Sequence, residues 1–289
     1  MPELPEVETV KRGLNKLIIG RKIAAVKSDN PKSFPNAPAD VSQFLINATV
    51  TEVRRRAKVL MIDLSTNYTL VIHLKMTGQL VFVDKTSRFG AGHPNDSLIN
   101  SLPDKSTRVT FDFADDSHLY FNDQRKFGWV RLMPTPEVPN IDFMKRVGPE
   151  PLEADFTAKQ FAQRFKRRAR TTIKAAILDQ SVIAGVGNIY ADESLWGAKI
   201  HPATKVGDLP YSKFELLYSE LRTVMNLSIE KGGSTNRNYV NAEGKKGSYM
   251  EFARVFRREG LPCPRCGTEI IKIRVAGRGT HICPKEQTL

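Results

Sequence analysis

The chain has 289 residues, of which 40% are apolar and 26% charged. That length and balance fit more than one globular domain and exclude a disordered chain, a collagen-like chain and a small disulfide scaffold. The 44 Lys and Arg residues outnumber the 31 Asp and Glu residues, leaving a formal net charge of +13 that points to a polyanionic partner, nucleic acid foremost, with an ordinary solvated basic surface as the alternative.

The opening Met-Pro-Glu-Leu-Pro-Glu-Val-Glu is acidic and lacks the apolar segment of a secretory signal. No apolar run approaches the roughly 18–20 residues of a membrane span. A cytoplasmic protein with no membrane partner is expected. Within 5–18, Val7, Val10, Leu14 and Leu17 recur at helical spacing, with Gly20 just beyond them. Apolar, β-branched runs follow at Ala48–Val53, Val59–Leu64, Thr69–Leu74, Gln79–Val83, Arg108–Phe113 and Trp129–Met133. Asn, Asp, Gly and Ser clusters divide them, and this spacing predicts a sandwich or a barrel. Residues 85–106 are polar and predict a long mobile loop.

Pro134-Thr-Pro-Glu-Val-Pro139 breaks regular structure and reads as a domain linker. Beyond it the pattern is helical. Thr157 and Gln160 form a capping box ahead of Phe161 and Phe165, and Thr172–Gln180 and Tyr211–Lys231 also read as helices. Gly185-Val-Gly-Asn-Ile-Tyr190 predicts a tight turn opening a helix, whose backbone N–H groups make a natural phosphate cradle. The basic run Arg164-Phe-Lys-Arg-Arg-Ala-Arg170 is either a solvated face or a DNA-contacting one. Residues 232–247 are polar and Gly/Asn-rich, a loop. Ile270–Val275 and Thr280–Ile282 flank Gly277-Arg-Gly279 and predict a hairpin with a basic tip.

Basic side chains exceed acidic ones by 21 to 17 in residues 1–150 and by 23 to 14 in 151–289, so the excess lies mainly in the second half. The three cysteines, Cys263, Cys266 and Cys283, all lie in that half, near the end. An odd count in a reducing compartment argues against disulfides, and the clustering argues for a metal site.

The N-terminus carries the chemistry of most interest. Removal of Met1 leaves Pro2 with a free secondary amine, whose pKa near ~8 leaves a useful neutral fraction at pH 7. Such an amine attacks a sugar C1′ to give an iminium with no N–H to lose, which acts as an electron sink. Glu3 and Glu6 can supply acid and base functions. The competing reading is that Pro2 and Pro5 pre-set a helix start and that the glutamates complement its dipole.

The opening Pro2-Glu-Leu-Pro-Glu-Val-Glu-Thr9 resembles that of the bacterial formamidopyrimidine-DNA glycosylases. So do His73-Leu-Lys-Met-Thr-Gly-Gln-Leu80, Asn122-Asp-Gln-Arg-Lys-Phe-Gly128, Val147-Gly-Pro-Glu-Pro-Leu152, Asp179–Tyr190 and the Cys263-Pro-Arg-Cys-Gly267 knuckle. The segments occur in collinear order over essentially the whole chain. The resemblance implies a multidomain α+β protein: a catalytic β-sandwich with an N-terminal helix (1–134), a helix–two-turns–helix DNA-binding domain (135–231), and a lesion-capping loop with a zinc-finger-like β-hairpin (232–289).

It also implies roles. Pro2 is similar to the family's Schiff-base nucleophile, Glu3 to the glutamate that protonates the opening deoxyribose, and Glu6 to a second essential carboxylate. Lys58 is similar to a lysine on the DNA backbone beside the lesion. Met76, Arg125 and Phe127 resemble the side chains that enter the space of an extruded base, a role that suits an apolar filler, a hydrogen-bond donor and a flat wedge. Lys174, Asn188 and Tyr190 resemble phosphate contacts, and Arg278 the arginine at the finger tip. The implied activity is a bifunctional DNA glycosylase and abasic-site lyase for oxidised purines in double-stranded DNA, acting as a monomer. A sister enzyme for oxidised pyrimidines, resembling endonuclease VIII, and a non-catalytic binder of damaged DNA are the alternatives. Leu4 disfavours the first, because those enzymes usually open Pro-Glu-Gly-Pro-Glu, and intact Pro2, Glu3 and Glu6 disfavour the second.

The metal site departs from the family pattern, which has four cysteines. Cys263, Cys266 and Cys283 keep their spacing, and Glu286 stands in the fourth position. A carboxylate can ligate zinc, and His281 is a second candidate. A three-ligand site closed by water and a metal-free hairpin remain open. Any zinc is expected to be structural.

Overall fold

The computed structural model describes residues 1–234 and 249–289. Most of the expected 232–247 loop therefore lies outside the described residues. The chain divides into two compact units, one built from Met1–Lys145 with the described part of Ile229–Tyr249, the other from Arg146–Ser228 with Met250–Leu289.

The first unit is a β-sandwich. One sheet orders β2 (Val50–Arg56), β3 (Val59–Leu64), β4 (Tyr68–His73) and β9 (Trp129–Pro134) side by side. The other runs β1 (Ile23–Ser28), β7 (Thr107–Phe113), β8 (His118–Asp123), β5 (Gly78–Val83), β6 (Arg88–Gly92). All pairings are antiparallel. Because side chains alternate along a strand, one face of each sheet is apolar. Val53, Leu60, Ile62, Leu70 and Ile72 from the first meet Leu80, Phe82, Val109, Phe111 and Phe121 from the second in one core. Helix α1 (Leu4–Leu17) adds Val7, Val10 and Leu14 to it.

The helical periodicity of 5–18 and the six apolar runs all appear as regular structure, whereas β1, β6 and β8 did not stand out in the sequence. Strand β6 lies inside the expected loop 85–106. It is held there because Phe89 packs on Gly13 of α1, where an added Cβ would sit only 2.0 Å from the ring. Arg88 donates to the carbonyls of Leu98 (2.8 Å) and Ser97 (3.1 Å), fixing the chain beyond the strand. The Pro134–Pro139 segment is also ordered. It forms a 3-10 turn over Thr135–Asn140 with Val138 buried against Val59, Met61 and Val71, so the boundary between units falls later, after Lys145. A short helical turn α2 (Pro38–Asp40) and a helix α3 (Asp142–Arg146) complete the elements before the second unit.

The second unit contains α4 (Ala158–Lys166), α5 (Ile173–Leu178), α6 (Asn188–Gly197) and α7 (Tyr211–Glu230). The Thr157–Gln160 capping box starts α4. Phe161, Phe165, Phe214, Leu217 and Leu221 are buried among these helices, with the Phe161 and Phe165 rings 4.4 Å apart. The hairpin β10 (Ile271–Val275) and β11 (Arg278–Ile282) closes the chain, with Val275 paired to Arg278 at its tip. Among the described residues no helix is long and apolar enough to cross a membrane.

Candidate functional site

In the first unit the N-terminus is fixed by α1. Pro5 lies in its first turn, and Glu3 and Glu6 form a reciprocal capping box in which the Glu3 N–H donates to Glu6 Oε2 at 2.8 Å. The other Glu6 oxygen accepts from the Ser234 N–H, also at 2.8 Å. Both carboxylates are buried, each 3% exposed. Gly233, at φ +91°, turns the chain into this contact, and an added Cβ there would lie 3.4 Å from Glu6 Cγ. Glu8 ties α1 to β2 through Arg55 (3.0 Å) and also meets Lys11 and Arg12. Burial pushes the Glu8 carboxyl up, but the hydrogen bonds from Arg55, Lys11 and Arg12 outweigh it and hold the group at about 2.

Lys58 is buried in the turn between β2 and β3, next to Ala57 at φ +52°. His73, at the end of β4, is a neighbour that sequence reasoning quoted without assigning a role. Burial pushes its imidazole pKa down to about 3, and the charges of Lys75 and Lys58 push the same way. Its Nδ1 accepts from the Lys75 N–H at 3.0 Å, so the neutral ring carries its proton on Nε2 and is a donor there.

Met76 and the Arg125–Phe127 pair sit on two neighbouring turns, one between β4 and β5, the other between β8 and β9. Phe127 is 54% and Met76 37% exposed, high values for large apolar side chains. The Arg125 guanidinium lies 4.8 Å over the Phe127 ring. Asp123, fully buried, holds both turns. It accepts from the Thr77 hydroxyl, the Arg125 N–H (3.2 Å) and the Gly128 N–H (2.6 Å). Nothing in the local sequence marks this role, because one of the donors, Thr77, comes from the other turn.

In the second unit the Gly185–Tyr190 turn opens α6 as expected, with Gly185 at φ +79°. Asn188 Nδ2 donates to the Gly279 carbonyl at 2.9 Å, which joins this turn to the start of β11, where Arg278 is exposed. The Asn188 Oδ1 is buried and has no hydrogen-bond partner among the described residues. Tyr190 and Lys174 are fully buried. Tyr190 meets the Ser228 hydroxyl at 2.5 Å, and the Lys174 ammonium is paired with Asp192. Asp192 also accepts from the His281 N–H and contacts His281 Nδ1, each at 3.0 Å. The expected phosphate contacts therefore divide: Asn188 is bonded to the residue next to exposed Arg278, whereas Lys174 and Tyr190 are buried.

Sequence comparison matches residues 1–130 to the formamidopyrimidine-DNA glycosylase N-terminal domain, 147–240 to the formamidopyrimidine-DNA glycosylase H2TH domain, and 260–285 to a zinc finger found in FPG and IleRS. The formamidopyrimidine-DNA glycosylase of Herpetosiphon aurantiacus is 43% identical over 286 residues, covering 98% of each chain. That of Lactiplantibacillus plantarum is 40% identical over 289 residues, covering 100% of each. The chain belongs to the formamidopyrimidine-DNA glycosylase family.

Two solved structures of Lactococcus lactis Fpg agree with that assignment. One is in complex with DNA containing an abasic site (TM-score 0.86, 35% identity, 99% of this chain and 100% of that one). The other is in complex with DNA containing N7-benzyl-Fapy-dG (TM-score 0.86, 35% identity, 100% of both chains).

The finger carries a structural zinc, and three thiols are placed to hold it. The thiols of Cys263, Cys266 and Cys283 lie within 4.8 Å of one another, with the Cys266 and Cys283 sulfurs 3.5 Å apart. Thiolates at ~2.3 Å from a tetrahedral zinc are spaced by about 3.8 Å, so the three side chains fit three corners of such a site. Hydrogen bonds from Thr268 hold the Cys266 thiol down at about 7, whereas burial pushes Cys283 up to about 11. Glu286, the expected fourth ligand, is not part of the thiol cluster. Its carboxylate meets Lys199 at 3.0 Å and Arg265 at 3.1 Å. His281 is turned to Asp192 instead.

Proposed function

We propose that Pro2, freed by removal of Met1, is the nucleophile with which this DNA glycosylase and abasic-site lyase excises oxidised purines such as 8-oxoguanine and formamidopyrimidines. The imino nitrogen attacks C1′, the bond from C1′ to the base breaks, and the base leaves with the bonding electrons and a proton. Glu3 protonates the ring oxygen as the deoxyribose opens. The resulting iminium acidifies the C2′ protons, so β- and then δ-elimination release both phosphates. Glu6 positions the reacting end. Its two oxygens are taken by main-chain N–H groups of residues 3 and 234, and this double tie is the observation that carries the reading.

Lys58 and the Nε2–H of His73 offer donors to the DNA backbone, and Met76, Arg125 and Phe127 fill the space of the extruded base. In the second unit, Asn188 and Arg278 supply phosphate contacts, and the zinc held by Cys263, Cys266 and Cys283 fixes the finger without joining the reaction. Residues 1–134 thus serve the chemistry, 135–231 the duplex, and 232–289 the lesion loop and finger. The enzyme works as a monomer in the bacterial cytoplasm.

Borohydride trapping on duplexes containing 8-oxoguanine, thymine glycol or an abasic site tests the reading. The expected result is a covalent adduct with the 8-oxoguanine and abasic duplexes that disappears in Pro2→Gly and in protein retaining Met1. No adduct from the mature protein overturns the nucleophile, and a preference for thymine glycol overturns the substrate.

A further inference from the structure

We propose that the finger's zinc is held by three thiolates, that its fourth coordination position is open to a small soft ligand such as a thiol, and that Glu286 serves as a salt-bridge latch instead of a metal ligand. This depends on the zinc and not on the catalytic reading above.

The case begins with Glu286. Its Oε2 lies between two cations, Lys199 Nζ at 3.0 Å and Arg265 Nη1 at 3.1 Å. Arg265 is itself fixed. Its guanidinium stacks 3.9 Å over Trp196 and donates to the carbonyls of Trp196 (3.3 Å) and Gly197 (3.4 Å) at the end of α6. Moving the carboxylate onto zinc would withdraw its charge from both cations.

The neighbouring residue supports the same division of labour. Gln287, 1% exposed, accepts from the Cys283 N–H at 3.0 Å and donates to the Ile200 carbonyl at 2.9 Å. Its own N–H donates to the Cys283 carbonyl at 3.0 Å. The 283–287 segment is therefore tied to the end of α6 by Glu286 and Gln287, with no fourth metal bond needed to hold it.

The other candidate is equally committed. His281 is buried, bonded through Nδ1 to Asp192, and its Nε2 lies 3.2 Å from Glu259. Among the described residues the metal-binding cluster contains the three cysteines alone. Cys263 and Cys283 are buried and Cys266 is partly exposed, so the cluster meets solvent on the Cys266 side. A small ligand reaches the metal from there. A zinc already bearing three thiolates is soft and favours sulfur over oxygen.

Cobalt substitution of the full-length protein tests this. Cobalt(II) replaces zinc, and the thiolate-to-cobalt charge-transfer band is followed while 2-mercaptoethanol is added. The wild type and Glu286→Gln are expected to start with identical spectra and to gain intensity saturably, in the ratio of four thiolates to three. Glu286→Cys is expected to start at the four-thiolate intensity and to stay there. A Glu286→Gln spectrum that differs from the wild type before thiol is added makes Glu286 a ligand and overturns the proposal. So does a wild-type spectrum that does not respond to thiol, or a wild type that binds no cobalt.

Discussion

The Thr77 hydroxyl donates to the Asp123 carboxylate across two different turns, and that contact joins the loop presenting Met76 to the loop presenting Arg125 and Phe127. Asp123 also receives the N–H groups of Arg125 and Gly128, so one buried carboxylate sets the relative position of all three side chains. In Asp123→Asn the amide NH2 confronts one of these donors. The unmet groups should lower stability by about 1–3 kcal/mol. Incision of a duplex lesion should show a raised KM as well, because the wedge is no longer fixed. Urea unfolding and steady-state kinetics check both, and a fall in stability with an unchanged KM would reduce Asp123 to a structural residue.

Phe127 offers the complementary case, a side chain that the fold does not need. It is 54% exposed. Phe127→Ala should therefore change unfolding free energy by no more than about 0.5 kcal/mol. Its effect should appear only where a base must leave a stack. Cleavage of lesion duplexes should fall, and cleavage of a single-stranded abasic site should stay near the wild-type rate, since that substrate carries little unstacking cost. Comparing the two substrates in one preparation decides it.

The sequence exposed what depends on local pattern. The spacing of Val7, Val10 and Leu14 marked α1, Thr157 and Gln160 marked the start of α4, and three cysteines marked the metal cluster. It concealed what depends on distant partners. Strand β6, with two glycines in five residues, has little strand propensity and exists because Phe89 rests on Gly13 and the chain pairs with β5. Asp123 and Asp192 looked like ordinary surface acids, and only the fold surrounds them with donors. Lys174 could be named from the family resemblance, but its inward turn required knowing where Asp192 would lie.

His73 yields a prediction in pH. Its folded-state pKa, near 3, lies below the ordinary histidine value of 6.5 because burial and the Lys75 and Lys58 charges disfavour the imidazolium. The unfolded chain thus binds a proton that the native state refuses. The stability this contributes is complete above pH 6.5 and is lost as pH falls from 6.5 towards 3. The His73 ring should show no titration between pH 5 and 8 by NMR, and the acid decline in stability should be shallower in His73→Gln. A ring that titrates near 6.5 would falsify the assignment of a neutral donor.

Asp192 is the clearest stability test in the second unit. It is fully buried, paired with Lys174, and bonded to both the N–H and the ring of His281 on β11. Asp192→Asn leaves the buried Lys174 ammonium beside a neutral amide. Breaking a buried pair from one side typically costs about 3–5 kcal/mol. Asp192→Leu combined with Lys174→Met removes both charges and should recover much of that loss. Because His281 sits on the strand whose tip carries Arg278, affinity for an abasic duplex should fall in Asp192→Asn and recover only partly in the double variant, which still lacks the His281 tie. Full recovery of both stability and affinity would mean that Asp192 serves the charge of Lys174 alone and has no part in placing the hairpin.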